Sequence, residues 1–273
     1  MITKSRYQIK NDVYVLMTIA VALVSIGCIF IYSSSSVFAL ERYGSPYYFL
    51  QKQLLGLIVG LLGFLWCAFG PFNLFKKLIA PLFWTSWLLT LCTLLPKIGR
   101  TIHGSSRWVA IGPFSLQPSD LLKVTFILLV ARFIEKKKDD LSNVQKTLVP
   151  LCFIIGLTSL LLLRQPDFGL TVTLAATAFA MIFIAGLPLR YFGILIGSAI
   201  PLLLILILAF PYRLKRVLIF LDPWRDPKGA GFQIIQSLIA IGSGGWYGVG
   251  IGESKQKFFY LPMQHTDFIF SII

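Results

Sequence analysis

Four stretches of this chain combine residue types that could do chemistry. Residues 106–123 read SRWVAIGPFSLQPSDLLK and carry Arg107, Trp108, Gln117, Asp120 and Lys123. Residues 164–169 read RQPDFG, with Arg164 and Asp167. The glycine-rich GFQIIQSLIAIGSGGWYGVG covers 231–250, Lys257 follows, and LPMQHTDFIF at 261–270 holds His265 and Asp267. Arginine pairs bidentately with phosphate oxygens and lysine acts as a compact point charge, so these cations suit a polyanionic ligand. Lipid headgroups would satisfy them too. Lys123 stands one turn inside an apolar segment beside Asp120, where charged groups are costly and usually paired or functional. Asp267 has two readings: a general base, or with Thr266 a cap for the helix expected over FIFSII. His265 either orients Asp267 or simply packs and hydrogen-bonds. The glycines at 242–252 can turn backbone N–H groups toward an anion, although each also serves as an ordinary turn.

The rest of the chain reads as membrane. With 56% hydrophobic and 13% charged residues over 273 positions, a soluble globular domain is excluded. A spanning helix needs about 20 apolar residues to cross a core of roughly 30 Å. Seven segments approach that length, at about 13–35, 50–69, 77–95, 119–134, 148–163, 168–189 and 191–210, and FIFSII begins an eighth. The expectation is a single all-α polytopic unit over 1–273, with a large extracytoplasmic loop at about 211–266. The apolar stretch after Lys10 is too long for a cleavable signal peptide. Cys28, Cys67, Cys92 and Cys152 fall in or at the ends of apolar segments without metal-ligand spacing, and read as packing residues.

The net charge is +14, and its placement orients the chain. Lys4, Arg6 and Lys10 precede the first span and favour a cytoplasmic N-terminus. Lys76, Lys77, Arg132, Lys136, Lys137, Lys138, Lys146 and Arg190 then lie inside, and 132–147 reads as a solvated inner charge run. Arg42, Lys52, Lys97, Arg100, Arg107 and Arg164 lie outside and call for an anionic ligand there. Nucleic acid is a poor candidate, because no basic helix or stacking platform accompanies the charge. In the outer loop 96–119, Pro113 and Pro118 act as breakers, and Ser119 and Asp120 are candidate caps for the fourth helix. Phe232, Ile235, Leu238 and Ile239 recur at helical spacing and predict an interfacial amphipathic helix. Asp222, Asp226 and Glu253 read as loop carboxylates; a divalent cation is conceivable there, and no cofactor is required by the sequence.

The four stretches, in this order, resemble those of the SEDS proteins (shape, elongation, division, sporulation), the bacterial peptidoglycan glycosyltransferases. The resemblance extends through the chain. The block at 231–250 and YSSSSVFA at 32–39 are closer to the division branch than to the elongation branch. The resemblance implies a polymerase of lipid II, the undecaprenyl-pyrophosphate-linked disaccharide-pentapeptide, on the outer face of the bacterial cytoplasmic membrane. It implies Asp267 as the catalytic residue, with Arg107, Trp108, Gln117, Asp120, Lys123, Arg164, Asp167, Lys257 and His265 at the substrate. It also implies a class B penicillin-binding protein as transpeptidase partner, beside other membrane proteins of the division machinery. Asp120 stands where the family usually has glutamate, and Met263 where it often has glutamate in LPE–HTD. The family continues beyond HTDF with further spans and an ISYGG-type motif, whereas this chain ends at Ile273, as a fragment or a truncated frame would.

The chemistry agrees with the residues. Joining a sugar hydroxyl to an anomeric carbon that carries a lipid pyrophosphate is one in-line, inverting displacement. It needs a base for the hydroxyl proton and cations for the pyrophosphate, but no second carboxyl as acid, since pyrophosphate leaves unprotonated. The rival readings are a flippase or transporter of lipid-linked precursors and a non-catalytic scaffold of the division machinery. A transporter would place its site near the midplane on interrupted helices, whereas these polar residues gather at the outer ends of spans.

Overall fold

The computed structural model describes residues 6–95, 99–102, 105–111, 114–137, 140, 143–250, 252–254 and 266–273. In chain order they form α1 (Arg6–Tyr43), α2 (Tyr48–Phe69), α3 (Phe72–Cys92), β1 (Gly99–Ile102), β2 (Ser105–Ile111), β3 (Phe114–Leu116) and α4 (Pro118–Lys136). A π-turn at Val144–Leu148 leads into α5 (Val149–Arg164), followed by α6 (Phe168–Ile184), α7 (Leu189–Leu208), α8 (Pro211–Leu221), α9 (Phe232–Gly244) and α10 (Ile269–Ile272). The chain divides into two compact units, Trp66–Leu203 and the pair of segments Met1–Leu65 and Leu204–Ile273.

Each expected apolar segment contains a helix, although 168–189 is helical only to Ile184 and 77–95 only to Cys92, and four helices are long and apolar enough to cross a membrane: Lys10–Tyr43, Tyr48–Phe69, Val144–Arg164 and Leu189–Leu208. At 1.5 Å per residue the 22-residue α2 is about 33 Å long, close to the thickness of a hydrocarbon core. Neither α2 nor α7 has a buried residue. In water such apolar faces would aggregate; in lipid they are the solvated surface.

The Trp66–Leu203 unit has a packed core. On α4 the buried Leu122, Phe126 and Val130 recur every fourth residue, and on α6 Leu174, Ala178 and Ile182 do the same, so each set forms one stripe. They meet Phe83 of α3 and Leu151 and Leu162 of α5, with the Phe83 and Phe126 rings 6.5 Å apart. Beside this stripe runs a polar seam. Ser86 Oγ and Thr125 Oγ1 lie 2.8 Å apart, and the Thr90 and Thr93 hydroxyls donate to carbonyls of their own helix, Ser86 O and Thr90 O. Each buried hydroxyl thus has a partner, as a membrane interior requires.

In the other unit, Gly44 ends α1 at φ 71°, a conformation that suits only glycine without strain, and the chain reverses into α2. Tyr43 and Tyr48 stack across that turn at 3.9 Å between centroids. α9 packs on α10, where the Ser237 and Ser271 hydroxyls lie 2.6 Å apart.

Several expectations need correction. The fold is not purely α: the stretch 96–119, read as a loop, carries an antiparallel sheet of order β1-β2-β3, pairing Arg100 with Trp108 and Val109 with Leu116. The short runs RWVAI and FSL have the β-branched and aromatic content of strands, which the neighbouring prolines obscured. Ser119 and Asp120 do not cap α4. That helix starts at Pro118, which loses nothing at a position whose N–H has no helical partner, and Gln117 precedes it. The loop expected at 132–147 is shorter, because α4 continues to Lys136. The span 211–266 is partly helical, holding α8 as well as the expected α9. On α9, Ile235 and Ala240 are buried against the protein while Leu238 and Ile239 are exposed.

Candidate functional site

Arg107 lies on β2 and is half-buried. Its guanidinium is held by the turn between α5 and α6. Nε donates to the Gln165 carbonyl at 3.3 Å, Nη2 to the Pro166 carbonyl at 2.6 Å, and Nη1 lies 3.5 Å from Asp167 Oδ2. A guanidinium has five N–H groups, so one on each terminal nitrogen has no partner among the described residues. Asp167 is fixed in turn, because its Oδ1 accepts from the Leu170 N–H at 3.2 Å and so caps α6. The turn itself is anchored from inside. Gln165 is fully buried, and its Nε2 donates to the Thr90 carbonyl at 3.0 Å and to Thr93 Oγ1 on the C-terminal side of α3. Its Oε1 is buried with no partner among the described residues.

Around this clamp the structure sorts the other expected residues. Lys123 pairs with Asp120 at 3.4 Å along one turn of α4, both of them substantially exposed. Gln117 uses its Nε2 on Ser119 Oγ at 2.9 Å. Trp108 is half-buried on β2 beside Arg107 in sequence, but strand alternation turns the two side chains to opposite faces. Arg164 is exposed at the last turn of α5, a favourable end for a cation, and does not join the clamp. Asp167, taken from the sequence as a substrate contact, serves first as helix cap and arginine partner.

In the unit that contains α9 and α10, Asp267 is exposed in the turn that precedes α10. The N-cap position belongs to Phe268, and Asp267 makes no capping hydrogen bond among the described residues, so the capping reading of Asp267 fails. Its carboxylate makes no ion pair or hydrogen bond with any other described residue. Four residues on, Ser271 is tied to Ser237 of α9. Asp226, read as a loop carboxylate, is engaged: Lys215 lies 3.0 Å away and the Ala230 N–H donates at 3.3 Å, which together hold its pKa below the ordinary aspartate value. Asp222 accepts from the Trp224 N–H and caps the short turn after α8. Among the described residues, no three His, Cys, Asp or Glu side chains gather as a metal would need. His265, Lys257 and Met263 lie outside the described residues.

Two residues that sequence reasoning passed over now matter. Gln165 stands between Arg164 and Asp167 in RQPDFG, and a second polar side chain directly after the apolar run at 160–163 was the available signal. Ser237 gave none, since a lone serine on an amphipathic helix is unremarkable.

The model of the FtsW, RodA and SpoVE cell cycle proteins matches residues 14–273. A probable peptidoglycan glycosyltransferase FtsW of Geobacter sp. strain M18 is 40% identical over 262 residues, which is 96% of this chain and 71% of that protein. Stage V sporulation protein E of Bacillus subtilis strain 168 is 36% identical over 94% of this chain and 70% of its own length. Among solved structures, a chain of a peptidoglycan synthase complex that coordinates polymerization and crosslinking aligns with TM-score 0.65 and 31% identity. That alignment covers 84% of this chain and 64% of the other, so this chain spans just under two thirds of it. The rod shape determining protein RodA of Thermus thermophilus aligns with TM-score 0.56 and 27% identity, over 68% of this chain and 58% of its own.

Proposed function

We propose, because the chain belongs to the FtsW, RodA and SpoVE family of cell cycle proteins, that it is an inverting peptidoglycan glycosyltransferase acting on lipid II. The observation that carries the reading is Asp267, an exposed carboxylate in a turn, neither capping its helix nor paired with a described cation. In the proposed step a sugar 4-hydroxyl attacks the anomeric carbon of a second lipid II. The new C–O bond forms as the bond to pyrophosphate breaks, the hydroxyl proton passes to Asp267, and undecaprenyl pyrophosphate leaves with the electron pair. General-base help of this kind contributes about 10²–10⁴-fold. Arg107 and Lys123 neutralise the pyrophosphate, with Trp108, Gln117, Asp120, Arg164, Asp167, Lys257 and His265 as the remaining substrate contacts.

The reading includes a seven-span arrangement with an eighth begun at α10, a cytoplasmic N-terminus, residence in the bacterial cytoplasmic membrane, and the segment 211–266 on the outer face. The similarity to FtsW supports a role in septal wall synthesis, and the similarity to a synthase complex supports a class B penicillin-binding protein as partner, alongside other division proteins. The displacement needs no organic cofactor. A divalent cation would serve the leaving pyrophosphate, and chelation tests for it.

The deciding experiment is lipid II polymerisation by the chain with its cognate transpeptidase, resolved as a glycan ladder, beside Asp267→Asn. A ladder that disappears with the substitution is the expected result. A ladder that survives moves the base elsewhere.

A further inference from the structure

We infer that Gln165 is the positioning residue for Arg107: its buried amide sets the direction in which the arginine presents its spare N–H groups to an anionic ligand. The inference rests on the reading of the chain as a binder of pyrophosphate-linked lipid, and deepens it. Gln165 has no exposed surface, and its amide binds the C-terminal side of α3 through the Thr90 carbonyl and the Thr93 hydroxyl. Its backbone N–H closes the end of α5 onto the Leu161 and Leu162 carbonyls. Its own carbonyl, with that of Pro166, then takes Arg107. One residue therefore links α3, α5 and β2.

The tie is more than packing, because it comes at the expense of an unsatisfied acceptor. Gln165 Oε1 is buried with no partner among the described residues, an arrangement that is unfavourable because a desolvated acceptor is left unmade. A leucine would fill such a place without that penalty. What leucine cannot do is hold the 165–167 backbone at a fixed angle to α3, and that backbone is what aims the guanidinium. Nε and one Nη2 proton are hydrogen-bonded and Nη1 is ion-paired with Asp167, which together set the direction of the fork. The unengaged N–H on each terminal nitrogen is the pair that bidentate phosphate recognition uses. Arg107 keeps 29% of its side chain exposed, so a ligand can reach it.

The test is a double-mutant cycle on affinity. Undecaprenyl pyrophosphate is titrated into the full chain in nanodiscs for the unchanged protein, Arg107→Ala, Gln165→Leu and the double variant. Arg107→Ala is expected to raise Kd about tenfold and Gln165→Leu about fivefold, with the double variant no worse than Arg107→Ala alone. Independent effects that multiply would overturn the inference, as would a Gln165→Leu protein with unchanged Kd. A merely structural role would reduce the fraction of binding-competent protein and leave the Kd of the remainder unaltered, which also counts against it. Should Gln165→Leu not fold, Thr93→Val removes one acceptor of the same amide at constant volume and must raise Kd in the same Arg107-dependent way. Failure of the unchanged protein to bind the probe would overturn the glycosyltransferase reading itself. Binding without coupling would overturn only the role of Gln165.

Discussion

Replacing Arg107 by lysine keeps the charge and removes the fork, so it isolates what the clamp contributes. The guanidinium reaches two carbonyls, at 3.3 Å and 2.6 Å, and a carboxylate oxygen at 3.5 Å. A single ammonium on a flexible stem can retain one of these but not all three. A hydrogen bond from a charged donor is worth about 1.5–3 kcal/mol when dry, and roughly 1 kcal/mol is reasonable for a half-buried side chain. The ion pair adds at most about 1 kcal/mol. Losing one carbonyl contact and the carboxylate contact together costs about 2 kcal/mol, or roughly 30-fold in a local opening equilibrium. The hairpin that Arg107 pins is held otherwise by its own ladder, with Val109 opposite Gly99 and Leu116. Amide hydrogen exchange along β2 reads its opening directly. Arg107→Lys should speed exchange at Trp108 and Val109 by about that factor while leaving the core of α4 and α6 unchanged. A change of less than about threefold would show that the sheet holds itself and that the clamp carries no load.

Other consequences are as specific. Ser237→Ala breaks the 2.6 Å hydroxyl pair with Ser271 and should loosen α10 by about 1 kcal/mol, lowering polymerisation several-fold through the turn that holds Asp267; an unchanged rate would detach α9 from the site. Ser86→Ala should cost less than about 1 kcal/mol in thermal stability, because Thr125 retains the Leu121 and Leu122 carbonyls, and a larger loss would mean that the seam acts as a unit. Phe83→Ala, at a fully buried position against Phe126, should cost about 3 kcal/mol or more, seen as the largest melting shift of the set. Asp226 has its pKa lowered by Lys215 and the Ala230 N–H. Its contribution is therefore present above the unfolded value near 3.8 and is lost as pH falls through the lower folded value. The melting difference between the unchanged protein and Asp226→Asn should accordingly be present at neutral pH and vanish in strong acid.

The membrane helices were legible because length and apolarity are properties of a segment on its own, and α2 and α7 bury nothing that would have blurred the signal. The sheet was not legible, because three strands as short as FSL derive their stability from pairing across sequence, which no local window contains. Pro118 misled for a related reason. A proline ends one element and begins the next with equal ease, and only the helix that follows decides between them. At the site, residue types were readable and engagement was not. Asp167 and Asp267 look alike in sequence, each beside an apolar run; the structure makes the first a cap and an arginine partner and gives the second no partner among the described residues.

That difference revises the electrostatic argument for a polyanionic ligand. Counting cations suggested an excess of charge in the outer segments, yet Arg107, Lys123 and Lys215 each have a carboxylate within 3.5 Å. Net charge thus overstates the attraction. What remains is geometry and exchangeability. Exposed pairs such as Lys123–Asp120 are worth about 1 kcal/mol or less, so a doubly charged pyrophosphate can displace the carboxylate at little cost. The Arg107 pair is different, because two backbone carbonyls hold the guanidinium whether or not Asp167 does. Removing Asp167 by Asp167→Asn should therefore free α6 more than it frees Arg107. The arginine would keep its direction and its two spare N–H groups, and affinity for the pyrophosphate lipid should fall less than with Gln165→Leu. The reverse order would place the aiming of Arg107 in the ion pair and not in the backbone of the turn.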